Sequence, residues 1–544
     1  MADCEGVIDL KASEAIIKCL LEEQVDTVFG YPVGYILNVY DALRRSKINH
    51  ILVRQEQAAA HSASGYARVS GKVGVCIATS GPGATNLITG IATAYMDSIP
   101  MVIFTGQVKS SLIGRDVFQE ADITGATESF TKHSYLVKNA NELPRIIKDA
   151  FYIASTGRPG PVLIDLPDDI QSEEIEFKYP DTVDIRGYKP TTTGHMGQIK
   201  RAVKAIEKSS RPLIIAGGGV ILAKARAELL RFVEKTGIPV VHTLMGKGAL
   251  PSPNPHYVGM IGTHGFAEAN MAMAKADLLI FIGARIADRA WGGVGDKIPK
   301  SVKIIHIDID PAEIGKNVGT QIPLVGDAKY ILTEMTEKIG KLDNSQWLSE
   351  IQASKKPQKS GSSDRVDPKY AVRLLSDKLN DNAVLVADVG QNQIWAARNF
   401  EDRPNSHFLT SGGLGTMGYA LPASVGAKIA EPERQVVAVV GDGGFQMSIQ
   451  ELGTIAANNL GIKIILFNNS RLGMVRELQE RRFGKTTEVF LDKNPDFIKL
   501  CSAYGIEGIR VNNNSELEKA LEVAIEKEGP FLVECLVDPT ESTL

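Results

Sequence analysis

Gln-Val-Val-Ala-Val-Val-Gly-Asp-Gly-Gly at residues 435–444, read together with Ile-Lys-Ile-Ile-Leu-Phe-Asn-Asn at residues 462–469, decides the fold of this chain. The first is an apolar strand, Gln435–Val440, running into the loop Gly441-Asp442-Gly443-Gly444. The second is a strand ending in Asn468-Asn469. A helical stretch from about Phe445 to Asn459 joins them. The two strands therefore bound one βαβ unit, with Asp442 and Asn469 at carboxyl ends of parallel neighbours. A carboxylate, an amide oxygen and free loop carbonyls are hard oxygen donors of the kind Mg²⁺ takes. The glycines let the backbone approach a diphosphate, which would supply further oxygens. Either half alone reads as an ordinary turn; the paired placement points to a metal–diphosphate site.

The same alternation of β-branched runs and helical patterns extends outward over the whole chain of 544 residues. Further strands are expected at His50–Val53, Val73–Ala78, Met101–Thr105 and Val162–Asp165 in the first third. The middle third offers Pro212–Ala216, Val240–Leu244, Leu278–Gly283 and Lys303–Ile309; the last adds Val384–Asp388 and Phe531–Cys535. Turn-rich stretches at Asp181–Gly194 and Ser354–Asp364 read as linkers. The expected fold is α/β, three doubly wound parallel-sheet domains, at residues 1–180, 190–350 and 365–544.

Lys and Arg total 60 against 64 Asp and Glu, a net charge of -4, which argues against nucleic-acid and anionic-membrane partners. Five cysteines (Cys4, Cys19, Cys76, Cys501, Cys535) show no CxxC spacing, so a reducing compartment is expected. No signal peptide and no membrane span stand out, and the expected location is the cytoplasm.

Two other stretches carry chemistry. Arg54-Gln55-Glu56-Gln57 opens a helix after the strand His50–Val53, where Glu56 could equally serve as a helix cap. Ser411-Gly412-Gly413-Leu414-Gly415-Thr416-Met417-Gly418 is a Gly-rich loop with one large apolar residue. With the Asp442/Asn469 pair, these resemble the thiamine-diphosphate enzymes. The resemblance implies that Asp442, Asn469 and the carbonyl of Arg471 hold Mg²⁺ against the cofactor. Glu56 would contact a nitrogen of the aminopyrimidine ring, leading to loss of the thiazolium proton, and Met417 would wedge between the two rings. Pro32, Ser80, Gly390, Gln391, Asn392, Gly415, Gly441, Gly443, Gly444 and Met474 would complete the cofactor's surroundings, as an α/β thiamine-diphosphate fold with a Rossmann-like middle domain.

Several further stretches narrow the resemblance to acetohydroxyacid (acetolactate) synthase. They are Thr79-Ser80-Gly81-Pro82-Gly83-Ala84-Thr85-Asn86, Ile113 through Asp122, Thr131-Lys132-His133, Gly157-Arg158-Pro159-Gly160-Pro161 and Gly246-Lys247-Gly248-Ala249. That family implies decarboxylation of pyruvate and transfer of the two-carbon unit to a second 2-keto acid, giving 2-acetolactate for branched-chain amino acid biosynthesis. It also implies a homodimer at minimum and a small regulatory subunit. Gln119 would help place substrates, and Arg289 would hold the second keto acid's carboxylate through its bidentate fork; a surface pairing with Asp288 explains Arg289 equally well. Strand-end turns in the middle third lack a GxGxxG fingerprint and suit an ordinary Rossmann-like domain. The resemblance makes them a site for FAD with no redox role, touching Arg158, His264, Arg285, Asp308 and Asp327.

The departures from the family cluster on the acceptor side. Leu478 stands where a Trp is usual, Tyr35 and Lys109 replace small or Pro residues in the access channel, and Asn392 replaces a His. Related carboligases with an aldehyde, ketone or keto-sugar acceptor, or a flavin-dependent pyruvate oxidase, are the alternative readings.

Overall fold

A computed structural model describes residues 8–292, 301–355 and 364–543. Three six-stranded sheets, parallel throughout, lie within residues 27–167, 212–325 and 384–536. Ile8–Lys11 pairs antiparallel with Glu174–Phe177 beside the first sheet. Every strand expected from the apolar runs is present, with ends shifted by one or two residues. Each sheet gains two more: Thr27–Gly30 and His133–Leu136, Tyr257–Met260 and Ile322–Val325, His407–Thr410 and Glu507–Val511. All but Thr27–Gly30 lie at sheet edges. Edge strands are covered on fewer sides and need fewer apolar residues, which weakens their pattern in sequence.

Numbered within its own unit, the middle sheet runs 3-2-1-4-5-6, the Rossmann order. Its switch point lies between Pro212–Ala216 and Leu278–Ile282, where Gly217 and Gly219 meet Gly283. A Cβ on Gly217 would stand 2.1 Å from the Gly283 carbonyl oxygen, so a side chain has no room there. The first and last sheets share a different order, 2-1-3-4-6-5.

Those two outer units are joined by one apolar core that includes Phe29, Tyr66, Ile103, Val440, Phe445 and Leu466. Helix Glu56–Ser70 of the first unit lies directly on helix Ala420–Ala430 of the last. Glycines set the approach: a Cβ on Gly426 would fall 1.8 Å from the Ser62 carbonyl oxygen, and one on Gly65 would fall 2.0 Å from that of Ala423. Ser62 Oγ donates to the Pro422 carbonyl at 2.9 Å, and Arg68 donates to that of Thr410 at 2.7 Å.

The stretch expected as one helix from Phe445 to Asn459 differs. A helix begins at Asp442 itself and ends at Met447, a 3₁₀ turn covers Ile449–Glu451, and a second helix runs Leu452–Ala457. Asp442 thus occupies a helix's first turn rather than a free loop. Glycines at 443 and 444 disfavour helix in sequence, yet here the preceding strand delivers the chain directly into the turn. The linker at Asp181–Gly194 contains no helix or strand; that expected at Ser354–Asp364 falls largely outside the described residues. Cys19, Cys76, Cys501 and Cys535 are buried free thiols. Among the described residues, no helix is long and apolar enough to cross a membrane.

Candidate active site

The cofactor-site residues fall into two clusters at the carboxyl ends of outer-sheet strands, around the point where the strand order reverses: strands 1, 2 and 3 in the first unit and strands 1, 3 and 4 in the last. In the last unit, strand register pairs Gly441 with Phe467, which sets Asp442 beside Asn468-Asn469. Asp442 is buried, and burial raises its carboxyl to about 6. Its Oδ2 accepts from Asn494 Nδ2 at 2.7 Å, and the same amide reaches Asn468 Oδ1 at 3.3 Å. Asn469 Nδ2 donates to Gln391 Oε1 at 2.9 Å, while its Oδ1 accepts from the Arg471 N–H at 3.1 Å. Arg471 turns its guanidinium outward to Asp492 at 2.6 Å, leaving its backbone to the cluster. Asn392 is fixed by bonds to the Asp388 and Val439 carbonyls and faces Gly441.

Met417 lies across Gly443: its Cε is 3.6 Å from where a Cβ would be. The loop carrying it is held by Asp388, a fully buried carboxylate raised to about 6 by burial. Asp388 accepts from Val389 N at 2.9 Å, Gly418 N at 3.0 Å and Ala420 N at 2.9 Å. A Cβ on Gly444 would come within 2.6 Å of Asp388 Oδ1, so the Met417 loop and the glycine turn are set by one side chain. Asp388 and Asn494 were not singled out from sequence: Asp388 ends an expected strand, but its partners lie about 30 residues away, and Asn494 sits in a stretch with no apolar period.

In the first unit, Glu56 opens its helix with Gln55 as N-cap, the Gln55 side chain accepting from Ala58 N. Glu56 Oε2 accepts from Asn86 Nδ2 at 3.0 Å, and Oε1 lies 3.3 Å from the Cβ position of Gly83. Gln119 has φ 61, an uncommon conformation for a residue with a side chain. Gly81, with φ 54, packs against it; a Cβ there would stand 2.8 Å from the Gln119 carbonyl oxygen. Ser80 is buried beside this turn, while Pro32 and Lys109 are exposed and Tyr35 is half-buried, its N–H donating to Thr79 Oγ1 at 3.1 Å.

Between the outer units and the middle one lies a cavity of about 1300 Å³, larger than the ~300–1,000 Å³ of ordinary small-ligand sites. Arg158, His264, Arg285, Asp308, Asp327 and Arg289 line it, and Gly390, Gly415, Met474 and Leu478 form its wall toward the last unit. Burial raises Asp308 to about 6 and lowers Arg285 and His264 from their ordinary values. Arg158 is held by Ser98 Oγ at 2.9 Å and Glu313 at 2.9 Å, and Asp327 caps the helix Ala328–Lys338. Arg289 is 71% exposed and 3.9 Å from Asp288, the loose surface pairing weighed above.

Family models cover most of the chain. The thiamine pyrophosphate enzyme N-terminal TPP binding domain matches residues 10–126, the central domain residues 199–335, and the C-terminal TPP binding domain residues 388–535. The chain belongs to the thiamine pyrophosphate enzymes.

Its relatives narrow this further. It is 48% identical to the probable acetolactate synthase large subunit of Methanocaldococcus jannaschii, over 98% of this chain and 93% of the relative. It is 45% identical to the acetolactate synthase large subunit of Corynebacterium glutamicum, over 97% and 87%. It is 43% identical to the acetolactate synthase isozyme 3 large subunit of Escherichia coli K12, over 95% and 92%.

Proposed function

We infer that the chain is the catalytic subunit of an acetolactate synthase, joining pyruvate to a second 2-keto acid with loss of CO₂. What carries this is the near end-to-end likeness to acetolactate synthase large subunits of an enzyme that has both half-sites. An aldehyde or sugar acceptor and a flavin-dependent oxidase, open from the sequence, are not favoured by those relatives.

The residues present suit thiamine diphosphate. Ser80 Oγ and Ser448 Oγ are buried without a partner, one in each half-site, and the glycines at 441, 443 and 444 lie so close to Asn392, Leu472 and Asp388 that the turn is left as bare backbone. Among the described residues no group of three His, Cys, Asp or Glu side chains could hold a metal. One carboxylate, one amide and a carbonyl suit Mg²⁺ completed by phosphate oxygens. Bound thiamine diphosphate supplies a nucleophilic carbon and takes up the electron pair that CO₂ leaves behind.

In this reading Asp442, Asn469 and the Arg471 carbonyl would hold Mg²⁺, and Met417 would pack against the cofactor's rings. Gly390, Gln391, Asn392, Gly415 and Met474 close around it. Glu56 would hold a proton at the aminopyrimidine nitrogen, a contact that strengthens where bound cofactor excludes water. Gln119 orients the keto acid, Arg289 takes the second carboxylate, and Tyr35, Lys109 and Leu478 line the approach. FAD in the 1300 Å³ cavity, contacting Arg158, His264, Arg285, Asp308 and Asp327, belongs to the same proposal, with a structural rather than a redox role.

A homodimer is part of it as well. Large apolar side chains stand open at both half-sites, among them Phe118 (78% exposed), Leu37, Met447 and Leu478, as they would if a second copy covered them. The relatives' large-subunit names support a small regulatory partner, and a cytoplasmic location is part of the same reading.

The test is product identification by NMR from pyruvate with Mg²⁺, thiamine diphosphate and FAD. Acetolactate is the expected main product; CO₂ release without it would move the acceptor elsewhere. Glu56→Gln should retain the fold and lose orders of magnitude in rate, and near-wild-type turnover would refute the assignment.

A further inference from the structure

The start of the Glu56 helix poses an accounting problem. The strand Asn49–Leu52 ends with Val53 N donating back to the Gly30 carbonyl, and the helix's own bonds begin only beyond Glu56. The N–H groups of Arg54 and Gln55 lie between, with neither a ladder nor a helical partner; the Arg54 donor is partly buried, and donors withdrawn from water are nearly always paired.

Their partner comes from the other end of the chain. Glu451 Oε1 accepts from Arg54 N at 2.9 Å, and the carboxylate also faces the Gln55 N–H. Glu451 is 0% exposed, and its Oε2 accepts from Thr454 Oγ1 at 2.7 Å. The surrounding turn interlocks with the same segment: Thr454 Oγ1 reaches the Leu52 carbonyl at 3.3 Å, and Arg54 Nη2 reaches that of Gly453 at 3.2 Å. Glu451 follows directly on the Asp442–Met447 helix through the 3₁₀ turn, its N–H bonded to the Ser448 carbonyl. Burying a carboxylate is costly unless it does what a neutral group cannot. A charged acceptor facing two backbone donors bonds them about twice as strongly as a neutral one.

We propose that Glu451 is a positioning residue for Glu56, fixing from the last unit the backbone on which the first unit's carboxylate is mounted. The proposal rests on the reading of Glu56 given above.

The experiment is a double-mutant cycle of Glu451→Ala with Glu56→Gln, alongside Glu451→Gln, which keeps one acceptor oxygen. Five quantities are read: kcat and KM for pyruvate, deuterium exchange at the ring carbon of bound thiamine diphosphate, the cofactor's dissociation constant with Mg²⁺, and Tm of the cofactor-free protein. A misplacement near 1 Å costs up to about 100-fold in rate. Glu451→Ala should therefore lower kcat and ring-proton exchange together by about 10–100-fold, with KM and cofactor affinity nearly unchanged, and Glu451→Gln should recover most of that. In the Glu56→Gln background, adding Glu451→Ala should change the rate by less than about twofold, because the two act through one group. An equal loss in both backgrounds, or a wild-type exchange rate in a folded Glu451→Ala, overturns the proposal. If Glu451→Ala does not fold, Glu451→Asp, whose acceptor is withdrawn by one methylene, carries the test: unchanged exchange overturns it. Wild-type rate in Glu56→Gln alone would sink the underlying reading instead.

Discussion

Replacing Asp402 by Asn isolates one charge in the seam between the middle and last units. Lys247 and Asp402 are each 1% exposed and meet at 2.8 Å; the ammonium also donates to the Phe400 carbonyl at 2.7 Å. The rings of Phe400 and Phe408 stand 5.8 and 5.5 Å from it, and burial together with this charge holds His242 down to about 4. Removing one partner of a buried pair costs about 3–5 kcal/mol. With about 2–4 °C per kcal/mol for a unit of this size, Asp402→Asn should lower Tm by roughly 10 °C. Scanning calorimetry checks it, with Lys247→Met added as the variant that removes the stranded charge and restores most of the loss. A fall below about 2 °C, or no recovery on adding Lys247→Met, would refute the reasoning.

Other perturbations test other parts. Gly426→Ala puts a methyl 1.8 Å from the Ser62 carbonyl and should cost at least the ~1–3 kcal/mol of overpacking; an unchanged urea midpoint would mean the helices are not so close. Burial raises Asp165 to about 7, so the folded form binds its proton more tightly than the unfolded chain. Stability from this group is full below about pH 4 and declines as pH rises to 7; urea midpoints should decline less steeply in Asp165→Asn, and an identical slope would contradict the shift. Asp442→Ala should weaken Mg²⁺-dependent binding of thiamine diphosphate by more than the ~10–100-fold typical of losing a mere outer-shell partner, measured by calorimetric titration. Leu478→Trp should shift mixed-substrate products toward 2-aceto-2-hydroxybutyrate if this 44% exposed side chain faces the acceptor; an unchanged ratio removes it from that wall.

The sheets were legible because internal parallel strands, buried on both faces, leave continuous apolar runs such as Val436–Val440 and Ile462–Phe467. Edge strands such as His407–Thr410 and Glu507–Val511 do not, and neither does Thr27–Gly30, internal but only four residues long. Asp442 and Asn469 could be paired in advance because one βαβ unit dictates their register. Nothing of that kind announces Asn494, Asp388 or Glu451, whose work is done on backbone groups distant in sequence. Arg289 shows the converse: sequence gives it a role by likeness, while its side chain here stands mostly in solvent.

The close seating of helix Glu56–Ser70 on helix Ala420–Ala430 also bears on how the molecule is made. The middle unit is spliced between two halves of one interior, so the earlier half leaves the ribosome long before its mate exists. At about 5–20 residues per second, roughly 20–70 s separate the two helices during synthesis. Throughout that interval the face of the first helix that carries His61, Ser62 and Gly65 has no packing partner, which makes it the natural surface for a chaperone to shield in the nascent chain.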